Sequence, residues 1–525
     1  MSYLDRPRLH FFGQFTANPS TVNNTPTNYD MSEPLGDLAW NPDGRHNFSI
    51  DNCKITSFVT DGPPSNESGT VTSSQIGVLV DLDTQQQGVS QIIGMKLTIT
   101  VGKGSVTGVF RPVNFADMFI RPTNRVRGDG RFSASYQTIL ADLQWSGESG
   151  SPFLSALKAA TQRDRLSIRM NVDAYDDGVW VKRQFTSGRV AGTIGPYLQG
   201  EPTTFDNARF LRPQANGFNF APAKTDTKRG KIVFDFGNAI PTTWPNTQPW
   251  PTSATFPGPL QVALLPASGN PVPFGTLDTS DAAYQANAFV QEFDVPQGLS
   301  DTPTGLVGGS NVLMAENPTG AFVNVEPWVM RLNPGQSATV NLWANVFEVP
   351  ASGAEIFLYP NLSQLGLQPG LPVGTPPDTL RYPVRVTTNA QGLAVFRIRA
   401  GNPGNPRGFI DGQIYGVGFT WIQDVNPDPN AFVSVHVFQG VPVPKSPTWT
   451  ADVFPILDQY SRLYPSMQAI IKLNDYADVV KNMKVIVERL DLPEKDPHYM
   501  PITRELSRDK KAIILRWAAN GHPQN

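Results

Sequence analysis

Arg8 and His10 stand two residues apart in PRLHFFGQF (7–15). Side chains alternate faces along a strand, so these two would share one. With Asp5, Asp51 or Asp61 alongside, they could form a polar pocket. His10 would then serve as general acid or base, because imidazole titrates near neutrality. The structural alternative is a hydrogen-bonded histidine in an apolar strand. Glu326 offers another carboxylate, and with Trp328, Trp343 and Trp421 it could line an aromatic pocket suited to an indolic or cationic ligand. The 10 Trp of this chain could equally be core. Arg8, His10, Asp51 and Glu326 are the catalytic candidates, and the three tryptophans are the substrate-binding ones. His46, Asp51 and Cys53 fall within eight positions. A Cys–His pair needs direct contact, and a buried, apolar Cys53 is the simpler reading. Arg504 and Glu505 could dock a partner, or could tie the C-terminal segment to the rest of the chain.

Several chemistries are disfavoured. The 5 His are scattered with no HExxH or HxH spacing, so no metal site is expected. GxGxxG, P-loop and GxSxG patterns are absent, and no cofactor is expected. IYGVGF (414–419) reads as a strand rather than a phosphate loop, because no helix start follows. The single cysteine excludes intramolecular disulfides and thiolate zinc clusters. The pattern Met500-Pro501…Leu506-Ser507…Trp517…Gly521 resembles the end of small c-type cytochromes, but covalent haem attachment there needs CxxCH. A net charge of −3 gives no footprint for nucleic acid or an anionic membrane. No apolar run approaches the roughly 18 residues of a spanning helix. MSYLDRPRLH carries charges and a proline where a signal peptide is apolar, so a cytoplasmic location is expected.

The elements that must hold these residues are mostly strands. With 48 Pro, 45 Gly and 17% charged residues, the composition suits short strands and many tight turns. The length predicts several domains. A first β block spans 1–215. It has strand-like alternation around Leu9, Phe11, Phe12 and Phe15, a loop over 24–45, and alternation again over 46–62. Runs at 76–83, 91–102, 105–120 and 166–176 continue it. One helix is predicted over 151–165, with Ser151 as cap and Pro152 in the first turn. A second β block covers 216–328, with a proline-rich loop at 245–259. Residues 329–445 read as an immunoglobulin-like sandwich, with His436 on its surface. Apolar spacing of three and four then marks a three-helix appendix over 446–525, its third helix capped by Ser507. The fold class is therefore mostly β and multidomain: sandwich- or barrel-like blocks, an immunoglobulin-like sandwich and a small C-terminal helical appendix.

Several segments carry a family resemblance: MSYLDRPRLHFFGQFTANPSTVNN (1–24), HNFSIDNCKITSFVTDG (46–62), QIIGMKLTI (91–99), GRVAGTIGPYLQGEP (188–202), FLRP (210–213), FGNAIP (236–241), YSRLYPSMQ (460–468) and YMPITRELSRDKKAIILRW (499–517). In order and spacing they resemble the amino-terminal, non-ferritin half of violacein-pathway iminophenyl-pyruvate dimer synthase-like proteins. The resemblance implies a mostly β architecture and a setting in aromatic or tryptophan-derived specialised metabolism. The family's reactive centre is expected in its ferritin-like half, so no catalytic residue carries over. Three functions follow as expectations. One is a stand-alone component that binds or transforms an aromatic or imine intermediate without a cofactor, by proton transfer, cyclisation or isomerisation. A second is a scaffold for a separately encoded ferritin-like protein. The third is a β-rich effector. Neither nucleic acid nor membrane is an expected partner.

Overall fold

A computed structural model describes residues 1–18, 46–62, 65–83, 89–121, 131–174, 187–243, 252–362, 365, 372–408, 410–428, 431–463 and 465–525. The loop expected at 24–45 and residues 245–251 of the one expected at 245–259 lie outside the described residues.

The first block is a barrel. Its strands are β1 (Arg8–Asn18), β2 (Asn47–Val59), β3 (Gly69–Gln75), β4 (Gly77–Asp81), β5 (Ser90–Ile93), β6 (Lys96–Val101), β7 (Gly104–Phe110), β8 (Val113–Arg121), β9 (Arg131–Ser146), β10 (Leu166–Ala174) and β11 (Ser187–Pro196). Only one or two residues separate β3 from β4, β5 from β6, and β7 from β8, so each pair is one bent stave. Every stave is antiparallel to the next in sequence, and β1 pairs with both β2 and β11. The result is an eight-staved up-and-down barrel with no free edge. Leu9, Phe11, Phe15 and Ala17 of β1 point inward and join one core with Phe48, Ile50, Cys53, Leu140, Ile168 and Val190. Gly13 sits in the same inward row because there is no room for more. A Cβ there would lie 2.5 Å from the Cys53 Cα.

A helix plugs one end. α1 (Pro152–Ala160) starts where Ser151 Oγ accepts from the Leu154 amide at 3.1 Å. Its Phe153, Leu154 and Leu157 enter the barrel core, with Phe153 against Phe58 at 4.6 Å between ring centroids. We call the opposite end, where β1 finishes and β2 begins, the mouth.

The outer wall of β9, β10, β11 and β1 faces a second sheet. That sheet comprises β12 (Arg209–Pro213), β13 (Ala221–Asp226), β14 (Lys231–Asp235), β17 (Leu260–Leu264), β18 (Val272–Thr276), β19 (Val290–Asp294), β20 (Thr304–Gly308) and β21 (Asn311–Ala315), with a small hairpin of β15 (Thr242–Thr243) and β16 (Thr252–Ser253) to one side. Its order is β18-β17-β20-β21-β12-β13-β14-β19. The sheet curls until Gly275 of β18 meets the Phe293 ring of β19. Strand β12, which the sequence reading placed before a boundary at 215, belongs here. α2 (Asp281–Asn287) packs in the seam, its Tyr284 6.3 Å from Phe12.

The seam is polar yet buried. Arg169 lies 3.2 Å from Asp235, and Tyr3 Oη donates to the same carboxylate at 2.7 Å. Arg189 pairs with Asp173 at 2.8 Å and stacks on Tyr284 at 4.0 Å. Arg169 also donates to Gln137, which donates to Asp206, both at 3.1 Å. Buried charges persist only when paired and hydrogen-bonded in this way.

The third block is the sandwich. It contains β22 (Ala321–Glu326), β23 (Val329–Leu332), β24 (Ser337–Val346), β25 (Val349–Pro350), β26 (Glu355–Pro360), β27 (Leu380–Arg381), β28 (Arg385–Thr387), β29 (Leu393–Ala400), β30 (Gln413–Trp421) and β31 (Phe432–Val437). Its sheets run β22-β24-β29-β27 and β23-β31-β30-β26-β28, with β23 parallel to β31, an immunoglobulin-like order. The sandwich thus begins at β22, before the boundary set at 329, because the chain passes from one sheet to the other between Glu326 and Val329. His436, expected on the surface, is fully buried, with Nε2 2.9 Å from the Asp411 carbonyl. Three helices follow: α3 (Phe454–Leu463), α4 (Tyr476–Leu490) and α5 (Arg508–Ala519). They pack around Trp449, Val479, Met483, Ile513, Ile514 and Trp517. Asp475 and Ser507 cap α4 and α5. Among the described residues, no helix is long and apolar enough to cross a membrane.

Two glycines test this packing. Gly13→Ala must push on β2 backbone and should cost about 1–3 kcal/mol in urea unfolding. Gly258→Ala, with nothing within 4 Å of the new methyl, should leave the midpoint nearly unchanged.

A candidate small-molecule site in the barrel mouth

Barrels of eight strands enclose a width that either packed side chains or one small ligand can fill. In this one, the half nearer α1 is closed by the helix. The half farther from the helix is packed with aromatic rings, all buried. Phe15 stacks on Phe48 with centroids 5.7 Å apart, and Phe48 lies 6.2 Å from Tyr136. Ile92, Val113, Ala134, Val172 and Val190 complete an apolar wall.

Among the described residues, one acid interrupts that wall. In β4, Val78 and Val80 face outward against Ile502, so Leu79 and Asp81 face the interior. Asp81 pairs across the sheet with Ser90, whose hydroxyl donates to its carboxylate. Burial pushes the Asp81 carboxyl up to about 7, helped by the charges of Glu505 and Asp83, while Ser90 and Arg331 oppose the shift. Burial first, then the Asp81 charge, holds the Tyr136 phenol well above its ordinary value. A carboxyl that titrates near neutrality on an aromatic wall is the arrangement general acid–base chemistry requires. The sequence carried one signal for it, an acid within the strand-like run IGVLVDLD (76–83).

The residues singled out from sequence lie elsewhere, and not together. Arg8 and His10 share a face as expected, but it is the outer face of β1, buried in the seam. His10 is 1% exposed, with Nδ1 2.9 Å from Thr193 Oγ1 and Nε2 accepting from Arg8 Nε at 3.4 Å. Burial and the Arg8 cation keep its imidazole neutral, well below the usual range. Arg8 pairs with Glu292 at 2.5 Å and donates to the Leu4 carbonyl at 2.7 Å. Asp51 pairs across from Gln14, about 13 Å along β1 from His10 at ~3.3 Å per residue. Its carboxylate accepts from Ser49 at 2.9 Å. Glu326 is buried and accepts from the Thr203 amide at 2.7 Å and its hydroxyl at 3.0 Å, clasping the 203 turn. No catalytic group of Arg8, His10, Asp51 and Glu326 is assembled.

Trp328 and Trp343 do meet, in an apolar cluster with Phe205 and Phe322. Trp328 Nε1 donates to Asn324 at 3.1 Å. Trp421 belongs to the sandwich core instead, so the three tryptophans line no common pocket. Cys53 is buried, and its thiol is pushed up to about 12 by burial, which removes it as a nucleophile. Arg504 and Glu505 present no docking surface. Arg504 is 3% exposed and donates to the carbonyls of Glu494 at 2.9 Å and Asp496 at 2.6 Å. Glu505 is buried and accepts from Thr503 at 2.8 Å. Among the described residues, no group of three or more His, Cys, Asp or Glu is placed to hold a metal ion.

No protein-family model matches the chain, and no curated protein matches it. Among solved structures it is similar to the S-layer protein rSbsC(31-844), with 9% identity over 76% of this chain and 54% of that one, at a TM-score of 0.16. It is also similar to Escherichia coli alpha-2-macroglobulin activated by porcine elastase, with 11% identity over 82% of this chain and 41% of that one, at a TM-score of 0.13. The chain therefore spans about half, or less, of the length of these structures, and likeness this slight carries no argument about fold or activity.

The site has a stability signature. An ordinary aspartate releases its proton near pH ~4, whereas folded Asp81 holds it to about 7. Between those values native Asp81 binds more protons than unfolded Asp81, so its contribution to stability falls as pH rises through that window. Asp81→Asn removes this term. Urea midpoints should show the variant gaining on the wild type as pH is raised from about 5 to about 8. His46 and His436, both held near 4 by burial, act in the opposite sense over nearly the same range: their contribution is lost as pH falls below about 6.5, in wild type and variant alike.

Proposed function

We propose that the chain binds a small aromatic or imine-containing molecule in the mouth half of the barrel, and that Asp81 transfers a proton to or from it. The reaction would be a cofactor-independent isomerisation or cyclisation. The protonated carboxyl gives its proton to a basic nitrogen or developing enolate of the ligand, and the carboxylate then takes one from a neighbouring carbon, so no oxidant or reductant is needed. The observation that carries this reading is an inward carboxyl, alone among the described residues of that wall and raised to about 7, beside Phe15, Phe48 and Tyr136. Aromatic walls suit planar ligands, and the same rings favour a cationic imine held beside a carboxylate. The sequence resemblance adds the setting, specialised metabolism of aromatic or tryptophan-derived intermediates.

A thermal-shift and calorimetric screen with arylpyruvates, indoles and aryl imines tests the binding step. The wild type should bind at least one of these. Ala134→Trp, which fills the mouth half, should weaken that binding tenfold or more. Trp343→Phe, outside the barrel, should leave it unchanged. Equal binding by wild type and Ala134→Trp would remove the barrel as the site.

A further inference from the structure

We infer that Arg331, supplied by the sandwich, is a positioning residue for Asp81 at the barrel rim; this rests on the reading above, in which Asp81 is the working group of the mouth. Arg331 lies on β23 and reaches across to the hairpin formed by β4 and β5. One of its terminal nitrogens donates to the Gln91 side chain at 2.7 Å. The other donates to the Asp81 carbonyl at 2.8 Å and the Leu82 carbonyl at 3.0 Å. Val80 pairs with Gln91 and Asp81 with Ser90, so a single guanidinium grips both strands of the hairpin at its rim. The planar fork of arginine suits this, and the shorter-reaching point charge of lysine does not.

A second arginine of the sandwich fixes the next residues. Arg407 pairs with Asp83 at 2.6 Å, and both side chains are fully buried. Arg407 also donates to the carbonyls of Gly412 at 2.8 Å and Asp411 at 2.7 Å. Leu82 and Val89 pack against Val329 and Ile414. The hairpin is therefore held from outside at consecutive residues while the Asp81 side chain projects inward. Among the described residues, the groups facing Asp81 are Ser90 on its partner strand, Tyr136 across the barrel, Asp83 beyond it in the chain, Glu505 from the C-terminal segment and Arg331 from the sandwich. Arg331 is the cation among them. It orients the backbone that carries the carboxyl and favours the ionised form.

The test reads Asp81 itself rather than activity. Carboxyl carbon NMR of aspartate-labelled full-length protein, with the Asp81 signal assigned from Asp81→Asn, gives its titration midpoint. Arg331→Gln should raise that midpoint by about half a unit to one unit, since a nearby opposite charge favours the carboxylate. Arg331→Lys should keep the midpoint close to wild type yet weaken aromatic binding several-fold, because the charge stays while the fork is lost. An unchanged midpoint in Arg331→Gln overturns the inference. If that variant fails to fold, unchanged ligand affinity in Arg331→Lys overturns it equally. If the midpoint shifts but the wild type binds no aromatic ligand, the proposed function falls and the positioning role stands.

Discussion

Strand β1 is the constraint on which the molecule depends. It hydrogen-bonds to β2 on one side and to β11 on the other, and the ring closes only through it. Both its faces are buried at Arg8–Phe11. Leu9, Phe11, Phe15 and Ala17 fill the barrel, while Arg8, His10 and Phe12 fill the seam against the second sheet and α2. A strand in this position cannot shift register, because a one-residue slip would drive Arg8 and His10 into the barrel core. Closure joins residues near 10 to residues near 190, the kind of non-local pairing that makes β topologies slow to form.

The remaining blocks are arranged around that closed ring. The second block covers the polar wall of β9, β10 and β11, where Asp235 pairs with Arg169, Tyr284 donates to Asp173 and Asp206 accepts from Gln137. The sandwich takes the mouth side and holds the rim through Arg331 and Arg407. The helical appendix follows, with Pro497 against Gly94 and Ile502 against Val78, Val80 and Ile93 on the outside of the same hairpin. The mouth is thus built inside one block and braced by two others. This gives the sandwich and the appendix a mechanical role that their own cores do not reveal.

Much of the architecture was legible in the sequence, for local reasons. Period-two alternation marked β1 and β2, Ser151-Pro152 marked α1, and spacing of three and four marked α3, α4 and α5. These signals live within a few residues. What stayed hidden was long-range. Alternation shows that Arg8 and His10 share a face, but not that a second sheet covers it. Trp343 and Trp421 lie on alternating strands that read alike, yet one faces outward from the sandwich and the other fills its core. Boundaries at 215 and 329 missed β12 and β22, since a strand that joins the next sheet looks no different from one that ends the last. Asp81 escaped notice because both faces of IGVLVDLD are apolar, and an acid at the end of such a run resembles the start of a turn.

The central claim is that Asp81 moves a proton on an aromatic ligand inside the barrel. The most direct measurement is deuterium uptake. The protein would be incubated in D2O with whichever arylpyruvate, indole or aryl imine it binds, and the recovered molecule weighed by mass spectrometry. The account predicts deuterium at a carbon of the ligand with wild-type protein and background exchange with Asp81→Asn at the same ligand occupancy. Equal exchange by the two proteins, or none by either, would contradict it.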